Sequence, residues 1–184
     1  MDSLFMQTFA ERLGDKGFRV ARFEFPYMDD RRQSGTKKPP NRAPVLLATW
    51  NAVIDHLGPG NLIIGGKSMG GRIASMVAAE REQGDVPPKG VVCLGYPFHP
   101  PGKPEKLRTE HLHSLATPTL ICQGTRDSLG TKAEAETYPL SKSIRFHWLE
   151  DGDHGFKPRK KSGLTEDENW NSAITAMAEF AITL

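Results

Sequence analysis

Gly66-Lys67-Ser68-Met69-Gly70 sets a serine between two glycines in the spacing G-x-S-x-G. A serine hydroxyl is a weak nucleophile until a base takes its proton and a turn presents its oxygen. Such a turn is strained and holds the serine at positive φ. Side chains two residues before and two after would collide there, so both positions are expected to be glycine. Alone, the five-residue pattern is weak; the apolar run 61–65 before it and the helical pattern from Met69 after it supply the strand–turn–helix setting that the chemistry needs. The helix N-terminus would aim free N–H groups at a developing oxyanion, with the Met69 backbone N–H as first donor. A Gly-rich turn with an incidental serine is the plain alternative. Gly66-Lys67-Ser68 also ends like a phosphate-binding loop, but that motif requires glycine at position 61, where Asn61 stands, and Leu62, Ile63, Ile64 and Gly65 resemble a strand.

A serine of this kind needs a base, and the base needs an orienting acid, in the chain order Ser, Asp or Glu, His. Asp127 follows the apolar run ending at Gln123, and His154 follows the run ending at Leu149, inside Asp151-Gly152-Asp153-His154-Gly155. Ser68, Asp127 and His154 are therefore the expected catalytic residues. Glu134 lies in the next helical pattern, and Asp153 suits a turn-forming Asx residue better than an acid. The other five histidines fit less well: His56 near a helix end, His99 in a loop, His111 and His113 in a polar connection, His147 within a strand.

These residues require elements to hold them. Asp2 or Ser3 can cap a helix carrying Phe5, Met6, Phe9 and Leu13, ending near Gly14 and Gly17. Residues 18–25 read as a strand and the polar stretch 27–40 as a loop. Leu46, Leu47, Trp50, Val53, Ile54 and Leu57 form one stripe of a helix over 43–57, broken by Gly58-Pro59-Gly60. Further strands are expected over 61–65, 90–96, 117–123 and 144–149, with helices over 69–83 and around Trp170, Ile174, Met177 and Ala181. Short apolar strands alternating with helices predict an α/β fold, a mostly parallel sheet covered on both faces, with ligands beyond the carboxyl ends of its strands.

A chain of 184 residues fits one domain spanning 1–184. Net charge +2 is too near neutral to suggest a nucleic-acid partner. The basic clusters at Arg31-Arg32, Lys37-Lys38 and 157–161 read as solvated loops. No run of about 20 apolar residues suits a membrane. Met1-Asp2-Ser3-Leu4 lacks the marks of a signal peptide, and a cytoplasmic location is expected. Cys93 and Cys122 lie in apolar strands and read as core residues. No metal or cofactor is called for.

Phe23-Glu24-Phe25-Pro26-Tyr27-Met28, Gly65-Gly66-Lys67-Ser68-Met69-Gly70-Gly71-Arg72, Gly95-Tyr96-Pro97-Phe98-His99-Pro100-Pro101-Gly102-Lys103-Pro104, Gln123-Gly124-Thr125-Arg126-Asp127 and Gly152-Asp153-His154-Gly155-Phe156-Lys157-Pro158-Arg159 together resemble one family. It is the bacterial branch of the α/β-hydrolases that also contains testis-expressed and NSL-complex hydrolase-like domains, and it is more distantly similar to dienelactone hydrolases. The resemblance spans essentially the whole chain and implies the same triad, Ser68, Asp127 and His154, without implying a substrate. Such families begin with a strand and a His-Gly-type loop, whereas Met1-Asp2-Ser3 resembles the tail of that loop. The expected form is thus N-terminally truncated. It lacks a strand between 18–25 and 61–65 and the second oxyanion donor, a loss of about 2.7–4 kcal/mol in the transition state. The flanking strands should then pair directly or leave a defect exposing apolar surface, which would favour a homodimer.

The function expected is a serine hydrolase acting on a small ester, thioester or similar acyl substrate. Tyr27, Tyr96, Phe98 and His99 follow strand ends, where they either line an acyl pocket or pack the loops. Loops 26–42 and 97–115 would do whatever capping there is. The alternative is a binding or scaffold protein that keeps the fold without useful turnover; nothing marks a peptidase.

Overall fold

The structure, a computed structural model, describes residues 3–84 and 86–184. The chain divides into two compact units, Met1–Gly58 and Pro59–Leu184.

The first unit is helical. Helix α1, Leu4–Asp15, starts where the Ser3 hydroxyl accepts the Met6 N–H at 3.3 Å; Asp2 lies outside the described residues. Phe5 and Phe9 stack along it at 4.3 Å. Helix α2, Pro26–Ser34, occupies most of the stretch expected as a loop. Pro26 opens it with φ already helical, and Gly35 closes it in the left-handed conformation at φ 66°. This helix is polar nearly all round, so it carries no apolar stripe for a periodicity argument to find. Helix α3, Ala43–Leu57, spans the residues expected and buries Leu46, Trp50 and Ile54.

Residues 18–25 do not form the strand expected of them. They run extended from α1 to α2, and the first unit contains no strand among the described residues. Alternating, β-branched and aromatic residues describe only half of a strand; the other half is a partner to pair with. Phe23 instead packs edge-on against Trp50 at 4.6 Å. Within this unit Ala21, Phe23, Ala52, Val53 and Leu57 line an open groove of about 430 Å³, bordered by Arg22, Thr49 and His56.

The second unit is a four-stranded sheet: β1, Ile63–Lys67; β2, Gly90–Leu94; β3, Thr119–Gly124; and β4, Ile144–Leu149. All neighbours are parallel, in the order β1-β2-β3-β4, with Gly65 opposite Val92, Val92 opposite Leu120 and Ile121 opposite Phe146. Every residue of β2 and β3 is buried, as their continuous apolar sequences require. Helix α4, Met69–Arg81, crosses from β1 to β2 and packs on both; α5, Lys132–Ala135, precedes β4; α6, Glu166–Ile182, packs on β3 and β4. Capping boxes at Thr131 with Glu134 and at Thr165 with Glu168 fix the starts of the last two helices. Cys93 and Cys122 are free and buried in adjacent strands, as small core residues.

Candidate active site

Because the four strands are parallel, their carboxyl ends lie on one side of the sheet. The turn after β1 carries Ser68, the loop after β3 carries Asp127, and the loop after β4 carries His154.

Ser68 sits at φ 53°, ψ −118°, a backbone that side-chain-bearing residues rarely adopt, and its N–H donates to the Leu94 carbonyl at 2.9 Å. Its hydroxyl does not cap the helix and faces His154. The flanking glycines act differently from expectation. A Cβ on Gly66 would stand 2.9 Å from the Gly70 carbonyl carbon, as expected, but a Cβ on Gly70 would meet nothing within 4 Å. The close approach falls one residue later: a Cβ on Gly71 would stand 2.6 Å from the Gly66 oxygen and 3.1 Å from Cys93 Cα. Gly71, not Gly70, lets the first turn of α4 seat against the sheet. Met69 is the first residue of α4, so its N–H is one of the four that an α-helix leaves without an intrahelical acceptor.

His154 Nε2 lies 2.9 Å from Ser68 Oγ, and His154 Nδ1 lies 2.7 Å from Asp127 Oδ2. The imidazole is about one-third exposed while the carboxylate has no exposed surface. Asp127 is held from two further directions: Oδ1 accepts the Leu129 N–H at 2.9 Å, and Oδ2 accepts from Gln123 Nε2 at 3.0 Å. A carboxylate only accepts, so the proton between it and the imidazole sits on Nδ1 and leaves the Nε2 lone pair facing the hydroxyl.

Gln123 was not singled out by the sequence and proves central. Fully buried at the end of β3, it accepts the Tyr96 N–H at 2.7 Å and donates to the Tyr96 and Gly130 carbonyls as well as to Asp127. Its signal was a lone polar side chain in an apolar strand, four residues before the acid. The His154 loop is braced likewise. Asp153 Oδ1 accepts the N–H groups of Gly155 and Lys157, the Asx role expected of it. Asn169 and Trp170 of α6 donate to the carbonyls of Phe156 and Gly155. Asp151 pairs with Arg159 and Arg126, and the hydrogen bonds from Arg159 hold its carboxyl down at about 2. Glu134 is engaged as the cap of α5.

The four residues considered for an acyl pocket are buried. Tyr96 and Phe98 have no exposed surface and His99 is 3% exposed. The Tyr96 hydroxyl donates to the Arg108 carbonyl at 2.8 Å, Phe98 packs against Tyr96 and Tyr138, and His99 Nδ1 bonds the Pro100 carbonyl at 2.9 Å. Their burial fits the loop-packing alternative. Tyr27 belongs to the first unit, where its N–H donates to Asn41 Oδ1 and its ring lies under the Arg31 guanidinium. Among the described residues, no three His, Cys, Asp or Glu side chains converge as metal ligands would, and no helix is long and apolar enough to cross a membrane.

A parallel sheet with a serine at a positive-φ strand–helix turn, and with an acid and a histidine on later strand ends, defines the class of fold. The chain belongs to the alpha/beta hydrolase domain family, whose pattern matches residues 1–182. Among solved structures it is similar to a Xanthomonas campestris pv. campestris protein assigned to the alpha/beta superfamily of hydrolases, at 21% identity and TM-score 0.67 over 100% of this chain and 92% of that one. It is also similar to an alpha-beta serine hydrolase homologue of Coxiella burnetii (16%, TM-score 0.64, 100% and 76%) and to an esterase of Exiguobacterium antarcticum (15%, TM-score 0.66, 95% and 87%). At these identities the likeness is one of fold.

Proposed function

We propose that this chain is a serine hydrolase that cleaves small ester, thioester or related acyl substrates through an acyl-enzyme. The observation that carries the reading is the continuous line of hydrogen bonds from Asp127 through His154 to Ser68, at 2.7 and 2.9 Å, ending on a serine at the head of a helix. The structural neighbours named serine hydrolase homologue and esterase support it.

In this reading Ser68 Oγ attacks the acyl carbon as its proton passes to His154 Nε2. Asp127 keeps the imidazole in the Nδ1–H tautomer and balances the imidazolium that forms. The negative oxygen of the tetrahedral intermediate accepts the Met69 N–H at the positive end of α4. Collapse breaks the bond to the leaving alcohol or thiol, which takes the proton from Nε2. A water then gives a proton to Nε2 and attacks the Ser68 ester, releasing the carboxylic acid and restoring the hydroxyl. Because deacylation follows a separate acylation step, p-nitrophenyl acetate should give a burst of about one nitrophenolate per chain and then slower turnover. Ser68→Ala should abolish both phases. A folded protein with neither a burst nor turnover on a panel of acyl chain lengths would favour the fold kept as a scaffold.

A further inference from the structure

Lys67 fills the variable position before the nucleophile, and the mechanism above gives it no task. Its side chain is half-buried, and its Nζ donates to the backbone carbonyl of His154, 87 residues along the chain. The ammonium also lies 5.2 Å from the centre of the Phe156 ring, in the same loop as the base. All of this meets in a cradle that a side chain would fill. A Cβ on Gly95, itself at φ 66°, would stand 2.7 Å from Lys67 Nζ, 3.1 Å from the His154 oxygen and 3.2 Å from His154 Nδ1.

We propose that Lys67 is a positioning residue for His154: by binding the His154 carbonyl it ties the loop after β4 to the residue beside the nucleophile, holding Nε2 in register with Ser68 Oγ. The proposal rests on the serine-hydrolase reading. One residue, joined directly to Ser68 by a peptide bond, thus couples the strand that presents the hydroxyl to the loop that presents the base. A misplacement of about 1 Å between such groups costs on the order of 10²-fold in rate, so a clamp at this point matters more than its single hydrogen bond suggests.

The charge adds a second effect. Burial pulls the Lys67 ammonium down to about 8, with the carboxylates of Asp127 and Asp153 opposing that fall. The titratable groups facing it are Asp127 from the loop after β3 and Asp153 and His154 from the loop after β4. While charged, Lys67 keeps a charge-assisted grip on the His154 carbonyl. Above about pH 8 the grip weakens to that of a neutral amine.

The test is the rate of Ser68 labelling by a fluorophosphonate, read by intact mass across pH, for wild type, Lys67→Met and Lys67→Arg. Lys67→Met should label about 10- to 100-fold more slowly. The fall above about pH 8 should vanish. Lys67→Arg keeps a cation throughout, so it should retain most of the rate yet also lose the alkaline limb. Melting followed by circular dichroism checks folding, and Lys67→Arg decides if Lys67→Met does not fold. Labelling of Lys67→Met at the wild-type rate would overturn the proposal and leave the hydrolase reading standing. Slower labelling with the alkaline limb unmoved would mark a loss of packing and would overturn it as well. A folded wild type that is never labelled would overturn the reading and this inference together.

Discussion

Asp127 has no exposed surface, and every oxygen of its carboxylate is spoken for by Leu129, Gln123 or His154. Its role is to fix which nitrogen of His154 carries the proton. Asp127→Asn would present an amide N–H where an acceptor is needed and would turn the ring to the wrong tautomer. The expected result is a fall of about 10⁴ in kcat with little change in melting temperature, checked by ester turnover alongside thermal unfolding. At this scale the sequence was half legible. Ser68, Asp127 and His154, which the fold brings within hydrogen-bonding distance, could be singled out because each follows a strand in a fixed chain order, a local signal. Gln123 and Lys67 could not, because what they hold is decided by which backbone atoms of distant segments come alongside: Tyr96 for the one, His154 for the other. A lone glutamine in a strand, or a lysine before a serine, says nothing of its partner until the sheet register is known.

Helix α4 and the strand that feeds it set the height of Ser68 above the sheet. Gly71 is where they touch most closely, since its Cβ would fall 2.6 Å from the Gly66 oxygen, an atom of the backbone that cannot swing away. Gly71→Ala should therefore push the first turn of α4 off β2, destabilise the fold by about 1–3 kcal/mol in denaturant titrations, and slow Ser68 chemistry disproportionately. Gly70→Ala is the control: there is open space around that position, and it should be tolerated. Elements with a strong apolar pattern were legible almost to the residue, as Ala43–Leu57 and Ile144–Leu149 show. Helix α2 was not, because charged and polar residues cover it, and its first residue, Pro26, and its C-cap, Gly35, suit a loop equally well. The segment 18–25 misled for the opposite reason: its aromatic and apolar residues suit a strand, yet strand formation needs a partner that the described residues of its unit do not provide.

Across the whole molecule, the architecture follows from alternation of buried strands and helices, and the site from the shared direction of the strand ends. What holds the His154 loop to the rest is partly ionic. The Asp151 carboxyl is held at about 2 against its usual 3.8, chiefly by the hydrogen bonds from Arg159. A depressed carboxylate stabilises the fold above its unfolded value and loses that contribution as pH falls through the folded one. Wild type should thus be more stable than Asp151→Asn at neutral pH, with the gap constant down to about pH 4 and closing towards about pH 2. Urea titrations across that range check it; a gap that persists at pH 2 would contradict the assignment.

Covalent labelling tests the central claim most directly. Wild type and Ser68→Ala are incubated with a fluorophosphonate, weighed intact, and the adduct located by peptide mapping. One phosphonyl group per wild-type chain is expected, on Ser68, and none on the variant. A folded wild type that stays unmodified, or that is modified equally with and without Ser68, would contradict it.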